Sequence, residues 1–363
     1  MASPRGGLTL LMLDSLPQLL SAPVLFFLLG VFACLVRSDL DIPQPIPKLL
    51  SLYLLIGIGL KGGIELRAAT LSFDVVAGLA AAIVLSAAVP LWTFFLLRRR
   101  LGSADAAGVA ATYGSISAVT FILAVSFLET RNEPYGGHMV ASMALMESPA
   151  IIIGLLLARR FGVAQTDPLP TRRPMGTIAP DAFGSPTVPG LEHEPTPFRW
   201  RTLVHEAVFN SAVLLLLGSL AIGAILGHDG FTELSPLFGT PFKGVLCLFL
   251  LDMGLLAARR LGDLGRAGIS TTGFALVAPP VHAAIGIGSA WLLGLSPGDA
   301  LLLAVLVGSA SYIAVPAALR LSLPEANPSI FVPMSLGLTF PFNVVIGIPL
   351  YWAAITWLWS VST

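Results

Sequence analysis

The sequence predicts an all-α polytopic membrane protein: ten transmembrane helices arranged as two inverted five-helix repeats. Three observations predict it. The chain has 363 residues, 55% apolar and only 11% charged; its apolar residues fall in long runs; and its two halves match each other. Soluble domains carry about 25% charged residues, whereas the mean hydropathy here is +0.86. A wetted cytosolic enzyme is excluded. So is a nucleic-acid binder, which needs a basic excess to displace counterions from phosphates, because 20 basic residues stand against 20 acidic ones. Cys34 and Cys247 each stand alone in apolar runs, without the spacing of a disulfide framework or a zinc site.

A membrane crossing takes roughly 20 apolar residues. Runs bounded by charges or Gly/Pro clusters place five spans at Leu19–Val36, Ile46–Leu66, Phe73–Leu97, Asp105–Leu128 and His138–Ala158. A second five fall at Phe209–Gly227, Phe242–Ala258, Ala267–Leu295, Ala300–Leu319 and Ile330–Trp357. The apolar stretch from Leu8 is broken at Asp14 and the next is long enough to span, so no signal peptide is expected. Between the halves, Phe161–Arg201 holds eight of the 28 prolines and is rich in Thr, Asp, Glu and Arg, which reads as a linker. The chain is expected to divide into repeats at 1–160 and 204–363, joined by a Pro-rich segment at 161–203.

Cytoplasmic loops collect Lys and Arg. With the N-terminus outside, only Arg5, Lys61, Arg67, Arg131 and Lys243 of the 20 basic residues lie outside, and the other fifteen lie inside. This sorting predicts a multi-pass protein of the plasma (inner) membrane, with both termini outside and the linker in the cytoplasm.

The repeat is visible in several segments. Ser142–Gly154 aligns without a gap on Ser335–Gly347, at an offset of 193, and Gly114-Ser115-Ile116-Ser117 matches Gly308-Ser309-Ala310-Ser311, at 194. Gly62 and Arg67 pair with Gly254 and Arg259, and after a two-residue insertion Ala118 to Glu129 tracks Ala314 to Glu325. A repeat with an odd number of spans puts its copies in the membrane in opposite directions. Secondary transporters use this architecture, with the substrate at the midplane between discontinuous helices. The fourth span of each half is the expected discontinuous helix, since each carries Gly-Ser-x-Ser near its middle and Pro316 removes a backbone N–H in the second. Two half-helix N-termini, each carrying about +0.5 charge, would then face each other and favour a small anion.

Candidate anion ligands follow: Ser115, Ser117 and Thr120 at the first break, and Ser309, Ser311 and Tyr312 at the second. Freed carbonyls and hydroxyls also suit Na⁺, a hard cation. Glu147, Ser148, Thr339 and Asn343, at similar depth in spans five and ten, are the candidate sodium ligands. An acid at that depth is expensive and functional by default. Plainer readings stand beside these: serines as small residues that let helices pack closely, Tyr312 as a packed aromatic, Glu147 as a protonated or helix-capped carboxyl. Asp252, the other mid-span acid, reads as an ion-pair partner, with Lys61 the candidate. His282, after Pro279 and Pro280, reads as a hydrogen-bonded packing residue. No catalytic residue or cofactor is expected, apart from Na⁺ as coupling ion.

Through Gly59-Leu60-Lys61-Gly62-Gly63, Gly114-Ser115-Ile116-Ser117, Met146-Glu147-Ser148-Pro149-Ala150, Met253-Gly254 and Ala326-Asn327-Pro328-Ser329, the chain resembles the sodium-dependent bicarbonate transporter family known best from cyanobacteria. The resemblance implies a ten-helix inverted-repeat fold with two crossing broken helices in a mobile core, and a scaffold that forms a homotrimer. It further implies sodium-coupled uptake of bicarbonate and regulation by a small nucleotide-sensing protein of the PII type at the cytoplasmic face. The expected function is therefore a sodium-coupled symporter of bicarbonate working by an elevator movement. Tyr312 stands where cyanobacterial members carry an Asp, so a small organic carboxylate is the alternative substrate. A non-transporting sensor with the same fold is the other alternative.

Overall fold

The computed structural model describes residues 21–43, 45–68, 72–161, 211–262 and 268–362. The expected linker at 161–203 lies almost wholly outside the described residues, as do Leu19, Phe209 and Ala267 at the expected span edges. Every regular element among the described residues is a helix. The first half runs α1 (Ala22–Leu35), α2 (Pro45–Ala68), α3 (Phe73–Leu101), α4 (Ser103–Gly114), α5 (Ala118–Thr130) and α6 (His138–Phe161). The second runs α7 (Ser211–Phe238), α8 (Phe242–Leu261), α9 (Ile269–Leu292), α10 (Pro297–Gly308) and α11 (Ala314–Ser322). A closing rod follows, α12 (Pro328–Val332), α13 (Phe340–Phe342) and α14 (Ile348–Ser362), joined through π-helical stretches at Pro333–Thr339 and Asn343–Gly347. Pro333 and Pro341 each remove an N–H from this rod, which loosens its hydrogen-bond ladder.

Among the described residues, seven helical stretches are long and apolar enough to cross a membrane, Ser103–Thr130 being counted across its break. The other three expected spans fall short for separate reasons. α1 has 14 residues. α8 has 20, but Lys243, Asp252, Arg259 and Arg260 dilute its apolar character. The ninth span is divided between α10 and α11. The outer surface is apolar, with Phe73, Ile225, Ile269 and Leu292 each at least 75% exposed, while serines, threonines and Glu147 are buried. Apolar outside and polar inside is the arrangement of a chain dissolved in lipid. This is a polytopic membrane protein.

Glycines set how its helices meet. α1 lies along α8, and α2 along α7. A Cβ on Gly30 would stand 2.1 Å from the Leu251 carbonyl oxygen, and one on Gly254 2.1 Å from that of Phe27. At the other crossing, a Cβ on Gly63 would meet the Leu220 oxygen at 2.0 Å, and one on Gly223 the Leu60 oxygen at 2.2 Å. Backbone touches backbone at both places, which only a missing side chain allows. The remaining helices form a second body, with α3 against α4 and α6 and α9 against α10. Its centre is α4 and α10: every residue from Ala106 to Gly114 and from Gly298 to Gly308 is buried, as helices apolar on all faces require.

Helix ends are tied by charges. Asp105, in the first turn of α4, accepts the Asn327 N–H at 2.7 Å, and Asp299, in the first turn of α10, accepts the Gly136 N–H at 2.7 Å. The Arg67 guanidinium donates to the Ile225 carbonyl at 2.9 Å, where α7 turns sharply at Gly227 (φ 66). That left-handed conformation needs glycine, and the cation suits a helix C-terminus. The expected pairing of Asp252 with Lys61 is not found. The Lys61 ammonium lies 2.8 Å from Glu129 at the end of α5, and over the Phe242 ring at 4.7 Å. The charges around Asp252 are Arg259 and Asp41, which pair with each other at 3.1 Å.

Candidate functional site

Each fourth span stops at a glycine. α4 ends at Gly114 and α5 begins at Ala118; α10 ends at Gly308 and α11 begins at Ala314. The residue after each stop is an extended serine with nearly the same dihedrals, φ −90 and ψ 173 for Ser115, φ −95 and ψ 176 for Ser309. Serine hydroxyls offer the backbone local alternatives to helix bonds. Ser117 caps α5, its Oγ accepting the Thr120 N–H at 3.3 Å and the Thr120 hydroxyl at 2.9 Å. Ser311 Oγ accepts the Val315 N–H at 3.3 Å. Pro316 lies in the first turn of α11, where its missing N–H forfeits no helix bond. It therefore marks the start of a half-helix, and the break itself lies upstream.

The two breaks touch. The Ser117 N–H donates to Ser309 Oγ at 2.9 Å, and the Ser311 N–H donates to the Thr112 carbonyl at 2.9 Å. Ser309 donates onward to the Leu306 carbonyl at 3.1 Å. The Gly308 carbonyl, freed by the break, accepts the Asn343 side-chain amide at 2.9 Å, and Asn343 Oδ1 accepts the Tyr351 hydroxyl at 2.8 Å. Thr339 donates to the Ala275 carbonyl at 2.9 Å, leaving its oxygen to accept the Tyr113 hydroxyl at 2.8 Å.

These bonds sort the candidates. Ser117, Thr120, Ser309 and Ser311 use their hydroxyls to hold the breaks in shape. Ser115 does not: it is fully buried and its hydroxyl has no hydrogen-bond partner. The buried Thr112 hydroxyl is also unpartnered, and the Tyr312 hydroxyl lies toward Ser117 without a hydrogen bond of normal geometry. Leaving such a group unpaired costs about 1–3 kcal/mol. Thr112 is absent from the sequence candidates. Its spacing of three from Ser115, which puts both on one helix face, was the available signal.

The sodium candidates lie on α6 and along the closing rod. Glu147 is buried on α6, one turn before Ala150, the residue against which a Cβ on Gly114 would press; Ser148 beside it is half-buried. α6 packs on α4, whereas Pro333–Thr339 packs on α8 and α9. Glu147 and Ser148 thus lie on a helix packed against α4, while Thr339 reaches Tyr113 beside the first break and Asn343 the Gly308 carbonyl at the second. No group of three His, Cys, Asp or Glu side chains suited to a metal ion occurs among the described residues, so a cation here would rely on hydroxyls, carbonyls and single acids. His282 is a packing residue: Trp92 Nε1 donates to its Nε2 at 3.1 Å, and Trp92, Tyr113 and Phe274 meet its ring edge-on.

A lipid-facing helical body with two interrupted helices joined in a buried layer of hydroxyls defines a membrane transporter. The chain belongs to the Na⁺-dependent bicarbonate transporter superfamily, whose family model matches residues 22–356. No curated protein matches it. Membership makes the chain a transporter and not an enzyme, with bicarbonate and sodium as the solutes of its family.

Proposed function

We propose that the protein is a sodium-coupled symporter that takes up bicarbonate by an elevator movement. In this reading α3–α6 and α9–α14 carry the site past α1, α2, α7 and α8. The observation that carries it is the pair of contacts Ser117–Ser309 and Ser311–Thr112, which set the starts of α5 and α11 against the ends of α10 and α4 in one buried polar layer. N–H groups at those starts carry partial positive charge and attract an anion. A lone ion is costly in this layer, and an anion and a cation held together cost less than either apart. Sodium therefore raises the affinity for the anion, and by linkage the anion raises the affinity for sodium. Ser115, Thr112 and Tyr312 are the proposed solute-facing hydroxyls, with Ser117, Thr120, Ser309 and Ser311 shaping their surroundings. Glu147 and Ser148 face the sodium, while Asn343 holds the second break and Thr339 holds Tyr113 beside the first.

The inverted repeat has geometric support. The Gly30–Gly254 and Gly223–Gly63 crossings, the Asp105–Asn327 and Asp299–Gly136 bonds, and the Ser115 and Ser309 dihedrals each occur once per half. Left-handed glycines, Gly102 (φ 81) and Gly294 (φ 70), likewise precede the fourth and ninth spans. All of these relate at offsets of 191 to 194. The resemblance and the sorting of basic residues add a homotrimer, a plasma-membrane location with both termini outside, and a cytoplasmic segment 161–203 that meets a PII-type regulator.

Thermal unfolding of the purified protein tests the coupling, since a ligand stabilises the state it binds. Bicarbonate should raise Tm in Na⁺ and leave it unchanged in K⁺; equal shifts in both salts defeat the coupling. A small organic carboxylate is the second substrate reading, favoured by the apolar wall that the Tyr312 ring forms with Phe340, centroids 5.4 Å apart, beside the second break. A larger shift from such an acid than from bicarbonate would decide for it. A sodium-dependent shift without uptake would mark a sensor.

A further inference from the structure

A cavity of about 440 Å³ opens beside Thr130 and Lys243, between the two bodies of the protein. Val24 of α1 forms one wall, and Leu123 of α5 with Val344 and Ile348 of the closing rod forms the other; all four are buried. The volume lies within the range of small-molecule sites, roughly 300–1,000 Å³. Its walls are mainly apolar, and its two charged lining residues, Arg131 and Lys243, are both basic. Arg131 sits over the Phe127 ring at 4.9 Å, and Lys243 lies 3.4 Å from the Thr130 hydroxyl, which gives both cations definite places on the rim. Glu129, the neighbouring acid, is engaged by Lys61. Bicarbonate has no apolar body to match these walls, so the cavity calls for a different ligand.

We propose that this cavity binds a medium-chain amphipathic monocarboxylate. Its carboxylate lies between Lys243 and Arg131, and its chain runs along Val24, Leu123, Val344 and Ile348. The floor at Val344 adjoins Asn343, whose amide closes the Gly308 carbonyl, so the ligand lies behind the second break and outside the solute layer. It touches α1 on one side and α5 with the rod on the other, and an occupied cavity ties the two bodies in this arrangement. Binding follows from the cavity alone; slowed transport rests on the elevator reading above.

Binding of labelled octanoate to the full chain in nanodiscs, with empty nanodiscs subtracted, tests the site. Saturable binding of one molecule per chain is expected, weakened tenfold or more by Lys243→Gln with Arg131→Gln. Both side chains are exposed, so the folded protein should survive the change; Val344→Trp, which fills the floor, is the second variant and should also abolish binding. Octanol and acetate should fail to displace octanoate. Displacement by octanol, unchanged affinity in both variants, or displacement by saturating bicarbonate with Na⁺ would each overturn the proposal. In proteoliposomes octanoate should slow bicarbonate uptake; binding with undiminished uptake would refute the tie between the two bodies while leaving the site itself standing.

Discussion

The Asp105 carboxylate accepts the Asn327 N–H at 2.7 Å, and the Asp299 carboxylate accepts the Gly136 N–H at the same distance. In each case an acid in the first turn of an interrupted span holds the loop that leads into the last span of the other half. The acid also complements the positive end of its own helix. Asp105→Ala and Asp299→Ala should each cost about 1–2 kcal/mol, with the larger loss at Asp299, which is the more buried. Thermal unfolding in detergent measures both. A loss of several degrees for one and none for the other would contradict their equivalence.

The glycine crossings predict opposite signs for the same substitution. Gly254→Ala places a Cβ 2.1 Å from a backbone oxygen, whereas a Cβ on Gly244 meets nothing within 4 Å. Elsewhere in helices Gly→Ala stabilises by about 0.4–1 kcal/mol. Gly244→Ala should therefore hold or raise Tm, while Gly254→Ala and Gly63→Ala should lower it or abolish monodisperse protein on size-exclusion chromatography.

The breaks predict a separation of stability from activity. Ser309→Ala removes the acceptor of the Ser117 N–H, at a cost of about 1–3 kcal/mol, and should reduce both Tm and uptake. Ser115→Ala removes a hydroxyl without a partner, so Tm should hold or rise while uptake falls; Thr112→Val should do the same. Full uptake in both of these variants would remove the unpartnered hydroxyls from the site.

The Lys61–Glu129 pair spans α2 and α5, with side chains 20% and 27% exposed. Pairs this accessible contribute about 0.2–1 kcal/mol. Glu129→Gln should leave Tm within a few degrees yet alter the uptake rate, because the proposed movement must part the two residues. The swap Lys61→Glu with Glu129→Lys should restore the rate. An unchanged rate in Glu129→Gln would free this contact from any part in the movement.

Much of this was readable before any coordinates. Glycine and serine act locally, so Gly-Ser-x-Ser in the middle of an apolar run announces a helix stop wherever the chain later packs, and its duplication locates both breaks. What stayed hidden depends on neighbours distant in the chain. That the Asn343 amide closes the Gly308 carbonyl depends on a contact across 35 residues, which no local pattern announces. Lys61 had an acid at a plausible depth in Asp252, and α5 brought Glu129 closer. Thr112 is not singled out by the sequence, and its hydroxyl is buried without a partner. The limits of α8 as a span came from four charges, which a reading by apolar runs discounts.

The most direct test is uptake of labelled bicarbonate into proteoliposomes under an inward Na⁺ gradient, compared with an equal K⁺ gradient. Accumulation that requires Na⁺, collapses when a sodium ionophore dissipates the gradient, and is lost in Ser309→Ala is the expected result. Equal uptake under K⁺ would contradict sodium-coupled bicarbonate transport at the touching breaks.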